Sequence, residues 1–300
     1  MRVLLLVATI AGLLAASGAH SREPAGPLMP VLPPPPMDAI VQTSAPVAAV
    51  SPLDAILLGD WRPEANKARD KYRHPRETLA FFGVHGQQNL IEIWPGGGWY
   101  AQVLAPLLRD GGSYTAVIPD PAKAGSAAAQ AGTARGNQKL RDQFAARPDV
   151  FGKAKLLEVD SAAPVLGAPG SADVVLTFRN VHNWVMAGQQ QQMFKAFFTV
   201  LKPGGTLGVV DHRARPDQPA AQMKTSGYLP EAYVIALATT AGFKLVDKSE
   251  INANPRDSKD YSDGVWTLPP TLAKGDQDRE KYLAIGESDR MTLRFVKPAK

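Results

Sequence analysis

The stretch NLIEIWPGGGWYAQVLAPLL, residues 89–108, decides the fold. An apolar segment with Glu92 near its end runs into Gly96, Gly97 and Gly98, and a second apolar segment follows. The first segment predicts a buried strand and the second predicts a helix. A glycine-rich turn between a strand and a helix lets a ligand approach the backbone and the N-terminal amides of the helix. The alternative is that the glycines only satisfy a tight turn.

Beyond this stretch the chain alternates between β-rich and helical segments. The predicted strands are NLIEI (89–93), SYTAVI (113–118), AKLLEV (154–159), DVVLTF (173–178), TLGVVD (206–211), a segment after Gly242, and RMTLRFVKP (290–298). The predicted helices include 99–108, 135–146, 189–201 and the segment before Gly242. This alternation is typical of βαβ units with helices on both faces of a mostly parallel sheet. The sequence therefore predicts an α/β fold, a three-layer Rossmann-like sandwich around a seven-stranded, mostly parallel sheet.

The first 50 residues are predicted to lie outside this domain. Residues 1–19 have one Arg, an apolar run and small residues near the end, a pattern typical of a cleavable signal peptide. The run from Val3 to Ala16 is shorter than the ~20 residues that span a bilayer, although an uncleaved anchor is the alternative. Residues 20–50 are Pro-rich and are predicted to form a disordered linker, with a docking peptide as the alternative.

The domain itself is predicted to cover residues 51–300. Ser51 before Pro52, and His74 before Pro75, are typical helix starts, so a helical lead-in is expected before the first strand. Residues 251–289 have little periodicity, and we expect an insertion or lid there, between the last two strands.

Composition narrows the classes of function. The net charge of +5 comes from scattered Lys and Arg, with no run of five basic residues, so no nucleic-acid partner is expected. The chain has no cysteine, which excludes disulfides and thiolate metal sites. The histidines follow no recognised ligand spacing, and no Gly-x-Ser-x-Gly motif occurs, so we expect neither a metal nor nucleophilic hydrolysis.

Four segments resemble class I S-adenosylmethionine-dependent methyltransferases, and most closely a group of exported bacterial predicted methyltransferases. They are EIWPGGGWY (92–100), LTFRNVHNW (176–184), LKPGGTLGVVDHRA (201–214) and SDRMTLRFVKP (288–298). The resemblance runs from about residue 51 to 298. It implies the strand order 3-2-1-4-5-7-6, with strand 7 antiparallel.

The same resemblance implies S-adenosylmethionine as the cofactor. Glu92 would contact its methionine amino end, Asp120 its ribose hydroxyls and Asp160 its adenine amino group. The turn that holds it would comprise Pro95, Gly96, Gly97 and Gly98. Carboxylates suit all three contacts because the ligand groups are hydrogen-bond donors.

Two positions near this turn have open alternatives. Asp120 precedes Pro121, and Asp-Pro is also common turn chemistry. Trp94 stands where the family motif has its first glycine, so its side chain is expected either to point into the core or to narrow the cofactor cleft.

The segment after the fourth strand is expected to form a loop on the acceptor side of the site, because ligands of open α/β sheets bind beyond the carboxyl ends of the strands. His182 is the candidate general base, or else it caps the next helix or bonds backbone. Asn180 would orient the acceptor or the methionine end. Arg179 would pair with an anionic substrate or a neighbouring carboxylate.

Further polar and aromatic residues are assigned less closely. Asp211 and His212, at the end of the fifth strand, would form a second acid-base pair or a hydrogen bond that ties the two loops together. Large aromatics line a pocket or fill the core, and the candidates are Trp61, Trp99, Trp184 and Trp266.

The resulting hypothesis is an exported enzyme, periplasmic or secreted, that transfers a methyl group from S-adenosylmethionine to a small-molecule or envelope acceptor. No stable membrane insertion is expected after cleavage of the signal peptide, and the sequence does not indicate an oligomeric state. The alternative is a non-catalytic periplasmic binding or scaffold protein with the same fold.

Overall fold

A seven-stranded sheet organises the chain in the computed structural model, which describes residues 51–299. The strand order is β3-β2-β1-β4-β5-β7-β6, and β7 pairs antiparallel with both of its neighbours while the other pairs are parallel. The strands are β1 Asn89–Ile93, β2 Ser113–Pro119, β3 Lys155–Val159, β4 Ala172–Phe178, β5 Leu201–His212, β6 Lys244–Ser249 and β7 Arg290–Val296. The predicted fold class, strand order and direction of the last strand are confirmed.

Twelve α-helices are present among the described residues. They are α1 Pro52–Leu57, α2 Glu64–Lys67, α3 Asp70–Arg73, α4 Pro75–Phe81, α5 Ala101–Leu108, α6 Ala127–Ala146, α7 Pro148–Phe151, α8 Val181–Ala187, α9 Gln190–Val200, α10 Met223–Ser226, α11 Glu231–Thr240 and α12 Arg279–Ile285. Between residues 51 and 299, no helix is both long enough and apolar enough to cross a bilayer. The predicted signal peptide (1–19) and linker (20–50) lie outside the described residues.

Two apolar cores lie on opposite faces of the sheet. Successive strand residues alternate between them, so that Leu90 packs in one core and Ile91 in the other. One core includes side chains of α8, α9 and α11, and the other includes those of α4, α5, α6 and α7. The three layers therefore follow from the period-two burial of the strands.

Local capping explains several helix starts. The side chain of Ser51 accepts a hydrogen bond from Asp54 N at 3.1 Å, and α4 begins at Pro75, so both predicted helix starts are confirmed. Helix α6 begins eight residues before the predicted start at 135. Ser126 caps it, and the alanine-rich residues that follow favour helix.

The prediction of a loop after β4 is wrong for residues 181–187, because these residues form helix α8. The carboxylate of Asp211, at the end of β5, accepts a hydrogen bond from Val181 N at 2.7 Å. This contact satisfies an amide at the helix start and comes from a residue far along the chain. The segment between β6 and β7 contains a short 3-10 helix, Gly264–Thr267, and α12.

Candidate functional site

A cavity of about 320 Å³ opens at the carboxyl ends of β1 and β4. This volume falls in the range of small-molecule pockets. Residues in and around helices α2 and α3, the glycine turn and the end of β4 all contribute to its wall. Residue 270, from the segment between β6 and β7, also lines it. The lining residues are Asn66, Arg69, Arg73, Glu92, Trp94, Pro95, Gly96, Gly97, Trp99, Tyr100, Phe178, Arg179, Asn180 and Pro270.

The three glycines of the turn have different structural roles. Gly96 and Gly98 adopt positive φ values of 58° and 77°, which glycine tolerates without strain. A Cβ atom on Gly98 would lie 2.9 Å from Leu140 Cδ1, so this position is closed by packing against α6. A Cβ atom on Gly97 would meet nothing within 4 Å, and this residue lines the cavity. Gly97 therefore leaves open space where a ligand would approach the backbone.

Trp94 belongs both to the core and to the cavity wall. Its backbone has φ +50°, and its N–H donates to Val117 O at 2.8 Å. Its ring packs edge-on against Trp184 with centroids 5.5 Å apart. The ring is half-buried, and the cavity remains open beside it. Both expected roles of Trp94 are therefore present: its ring packs against the core, and it also forms part of the cavity wall.

Glu92 is the acidic residue that the structure places in the cavity wall. Its side chain is 2% exposed, and Tyr114 donates its hydroxyl to Oε2 over 2.6 Å. Burial raises the pKa of Glu92 to about 7, although the Tyr114 hydrogen bond and the charge of Arg73 oppose the shift. The carboxyl group is thus poised to gain or lose a proton near neutral pH.

Asp120 and Asp160 are not among the residues that line this cavity. They are half-exposed and follow β2 and β3. Asp120 Oδ1 accepts from Ala122 N at 2.9 Å, and Asp160 Oδ1 accepts from Ala162 N at 2.8 Å. Asp120 therefore has the turn role that was its alternative, and the nucleoside contacts expected of both residues stay predictions.

Asn180 ties the end of β4 to the end of β1. Its Nδ2 donates to Ile93 O at 2.8 Å, to Trp94 O at 3.3 Å and to Thr177 Oγ1 at 3.2 Å. The residue also lines the cavity and is 7% exposed. These contacts fix the spacing of the two strand ends that bound the cavity.

Arg179 lines the same cavity and has a positive φ of 65°. Its Nε donates to His212 Nε2 at 3.4 Å. Burial lowers the pKa of Arg179 to about 10, which still leaves the guanidinium charged at neutral pH.

His182 lies within α8 and outside the cavity lining. It is 4% exposed, its Nδ1 lies 2.9 Å from Asp211 Oδ1, and its ring is edge-on to Trp266 at 6.2 Å. The hydrogen bonds of Asp211 to Val181 N and to His182 confirm the predicted tie between the segments after β4 and β5.

His182, Asp211 and His212 form a buried cluster whose ligand-type atoms lie within 4.8 Å of one another. Hydrogen bonds already use most of these atoms. His212 Nδ1 lies 2.5 Å from Ser288 Oγ, and its Nε2 accepts from Arg179. Burial and the nearby positive groups lower the pKa of His212, so this ring is neutral. The expectation of no bound metal stays a prediction.

A group of arginines beside the cavity was not foreseen. Glu287, 3% exposed, accepts from Arg69 Nε at 2.6 Å, from Arg73 Nε at 3.2 Å and from Arg290 Nη1 at 3.1 Å. Burial opposes the ionisation of Glu287, but the charges of Arg290, Arg73 and Arg69 outweigh it and lower its pKa to about 2. The only signal in the sequence is the density of basic residues in ARDKYRHPRE (68–77).

Comparisons with known proteins show the fold but no sequence family. No family model and no curated protein matches this sequence. Three similar solved structures are a putative sarcosine dimethylglycine methyltransferase from Galdieria sulphuraria (15% identity, 77% of this chain and 86% of that chain, TM-score 0.50), a SAM-dependent methyltransferase from Aquifex aeolicus (13%, 77% and 93%, 0.49) and the [4+2]-cyclase SpnF (16%, 76% and 81%, 0.49). The likeness to the first shows that this chain has the fold of a methyltransferase.

Proposed function

We propose that the protein is an S-adenosylmethionine-dependent methyltransferase that acts on a small-molecule acceptor. The observation that carries the proposal is the position of Glu92, which shares one cavity with the open backbone of Gly96 and Gly97. A carboxylate accepts hydrogen bonds from an ammonium group, and bare backbone lets a ligand come close. Both features suit the amino-acid end of the cofactor.

The remaining cofactor contacts are proposed on chemical grounds. Asp120 and Asp160 each use Oδ1 to accept a backbone N–H two residues further along, and the other oxygen of Asp120 has no hydrogen-bond partner between residues 51 and 299. Asp160 Oδ2 lies 4.0 Å from Lys123 Nζ. Asp120 follows β2, which pairs with β1, and Asp160 follows β3, the next strand of the parallel sheet, so both lie at the same carboxyl edge as Glu92. We assign them to the ribose and the adenine respectively.

The chain's own contribution to methyl transfer is chiefly alignment. When bound, the cofactor supplies an electrophilic methyl group on a sulfonium, and holding the acceptor in line with it provides most of the rate gain. Asn180 acts as a positioning residue because it joins the strand ends around the cavity. His182 does not line the cavity, so we propose that it acts as a second positioning residue, which holds the segment after β4 through its contact with Asp211.

The test is transfer of label from methyl-labelled S-adenosylmethionine to small molecules of a cell-envelope extract, with His182→Gln and Asn180→Ala beside the wild-type protein. Label in a small molecule, reduced in both variants, supports the proposal. If S-adenosylhomocysteine binds with saturation but no molecule acquires label, the protein is a binding protein with this fold.

We also propose export to the periplasm or beyond the cell. Residues 1–19, with their single Arg and apolar run, support it. N-terminal sequencing of the protein from fractionated cells tests this directly: a mature chain that starts near residue 20 supports export, and a chain that starts at Met1 in the cytoplasm contradicts it.

A further inference from the structure

Four guanidinium groups gather around one ionised carboxylate at the edge of the cavity. Arg69, Arg73 and Arg290 bond Glu287 directly, and the charge of Arg179 also acts on this carboxylate. Two further buried carboxylates interact with these arginines: Glu92 with Arg73, and Asp211 with Arg179. The four arginines outnumber Glu287, Glu92 and Asp211 by one when all three acids are ionised, and by two when Glu92 is protonated. Surplus buried charge of one sign is unfavourable without a partner.

Three of these arginines combine a place in the cavity wall with terminal nitrogens that have no partner among the described residues. Arg69, Arg73 and Arg179 all line it, and each uses only Nε for a hydrogen bond to the rest of the described chain. Their Nη atoms make no hydrogen bond to any residue between 51 and 299, and Arg69 Nη2 is buried without a partner. Each guanidinium therefore retains two terminal nitrogens, whose paired donors match the oxygens of a carboxylate or phosphate.

The guanidinium of Arg73 is held in place before any ligand arrives. Its side chain is 8% exposed, Nε bonds Glu287, and Cζ lies 4.7 Å from the ring centroid of Trp99. A cation over an indole face is attracted to it and loses rotational freedom. Glu287 thus orients Arg69 and Arg73 through Nε, and the terminal nitrogens of both have no partner among the described residues.

Aromatic rings form the neighbouring wall. Trp99, Tyr100 and Phe178 all line the cavity, and the rings of Tyr100 and Phe178 stack with centroids 3.6 Å apart. Such a wall suits an apolar or aromatic ligand body. The cavity wall therefore contains aromatic rings beside the arginines.

We propose that the acceptor is a small organic oxyanion, whose carboxylate or phosphate binds the outer nitrogens of Arg69, Arg73 and Arg179 while its apolar body lies on the aromatic wall. The identification of this anion as the methyl acceptor rests on the proposed methyltransferase function. The anion site itself follows from the arginines alone.

The experiment measures binding of benzoate, phenyl phosphate and the neutral analogue benzamide to the full chain, with and without saturating S-adenosylhomocysteine. We expect at least one of the two anions to bind about tenfold or more tightly than benzamide, because each charge-assisted pair has no counterpart in the neutral compound. The stronger of the two anions distinguishes a carboxylate from a phosphate as the recognised group. Equal binding of all three compounds would overturn the proposal.

Variants locate the site. Arg69→Gln and Arg179→Gln should each weaken anion binding about tenfold. Arg294→Gln removes the same charge from β7, outside the cavity. This control should change the affinity for the anions by less than about threefold. If one of the two test variants does not fold, the other variant, together with the comparison of anions and benzamide on the wild-type chain, still tests the proposal.

A second outcome separates this inference from the proposed function. If Arg69→Gln and Arg179→Gln weaken S-adenosylhomocysteine but not the anions, the arginines hold the cofactor and the inference is wrong. If S-adenosylhomocysteine does not bind but the anions do, the oxyanion site stands and the methyltransferase proposal fails.

Discussion

The hydroxyl of Tyr114 donates to Glu92 Oε2 over 2.6 Å, and this pair is buried between two adjacent parallel strands at the edge of the cavity. Burial raises the pKa of Glu92 to about 7. The unliganded protein therefore carries a protonated carboxyl group at mildly acidic pH, at the position proposed to bind a cation. Both stability and ligand binding should depend on this proton.

Glu92 should destabilise the folded protein at alkaline pH. Its pKa is raised on folding from about 4.5 to about 7, so the folded state holds this proton more strongly and the free energy of unfolding falls as pH rises through that window. Glu92→Gln retains an acceptor for Tyr114 and should raise the free energy of unfolding at pH 8 by up to about 3 kcal/mol. Urea denaturation below and above this pH range measures the free energy of unfolding of both proteins.

The matched control is Glu77→Gln, an exposed residue of α4. Its free energy of unfolding should stay within about 0.5 kcal/mol of wild type. A loss of stability in Glu92→Gln at pH 8 would show that the ionised form of Glu92 stabilises the fold.

Binding of S-adenosylhomocysteine should release a proton below neutral pH. Since Glu92 must ionise to accept from an ammonium group, the affinity should fall about tenfold per pH unit below the pKa of about 7 and level off above it. Calorimetry in buffers of different ionisation enthalpy counts the proton. In Glu92→Gln the binding should be weaker and this pH dependence should vanish; an unchanged pH profile would remove Glu92 from the site.

Neighbouring glycines should respond differently to the same substitution. Gly97→Ala adds a methyl group to open space at the cavity, so affinity for S-adenosylhomocysteine should fall about tenfold while stability stays within about 0.5 kcal/mol. Gly98→Ala should lower the free energy of unfolding by about 1–3 kcal/mol because it overpacks against α6 at a positive φ.

The control for both is Gly136→Ala, an exposed position of α6 where an added Cβ meets nothing within 4 Å. It should leave ligand affinity unchanged. Titration and thermal unfolding of the three variants separate the two roles, and equal affinity in Gly97→Ala and Gly136→Ala would place the ligand elsewhere.

Glu287→Gln should be strongly destabilising. It leaves Arg69, Arg73 and Arg290 without their shared carboxylate, and breaking a buried ion pair from one side costs about 3–5 kcal/mol. Because its pKa is lowered on folding from about 4.5 to about 2, Glu287 should stabilise the fold above pH 4.5 and lose this effect as pH falls toward 2.

The comparison variant is Glu250→Gln, whose side chain pairs with Arg213 but is 69% exposed. Its effect should stay below about 1 kcal/mol, because solvent screens exposed pairs. Chemical denaturation at neutral pH compares the free energies of unfolding of the two variants. Similar small losses of stability in both would mean that water, rather than Glu287, balances the charge of the arginines.

Local patterns predicted the sheet and the turn of the site. The alternation that sends Leu90 and Ile91 into different cores is visible over a few residues, and so is the placement of Glu92 beside Gly96. These features depend on neighbours in the chain, which is why the fold and the first wall of the cavity could be predicted.

Features set by distant residues could not be predicted in this way. Helix α8 begins where Asp211, 30 residues further along, accepts from Val181 N. The arginine cluster joins Arg69 and Arg73 to Glu287, which is 218 and 214 residues away. No periodicity or spacing reports such a contact, because only the folded sheet brings the lead-in helices beside the start of β7.

The most direct test of the account is a calorimetric titration of the wild-type chain with S-adenosylhomocysteine at pH 8, about one unit above the pKa of Glu92. We predict saturable one-to-one binding that Gly97→Ala weakens and Gly136→Ala does not. Absence of heat at millimolar ligand, from protein that still unfolds cooperatively, would contradict a cofactor site at the glycine turn.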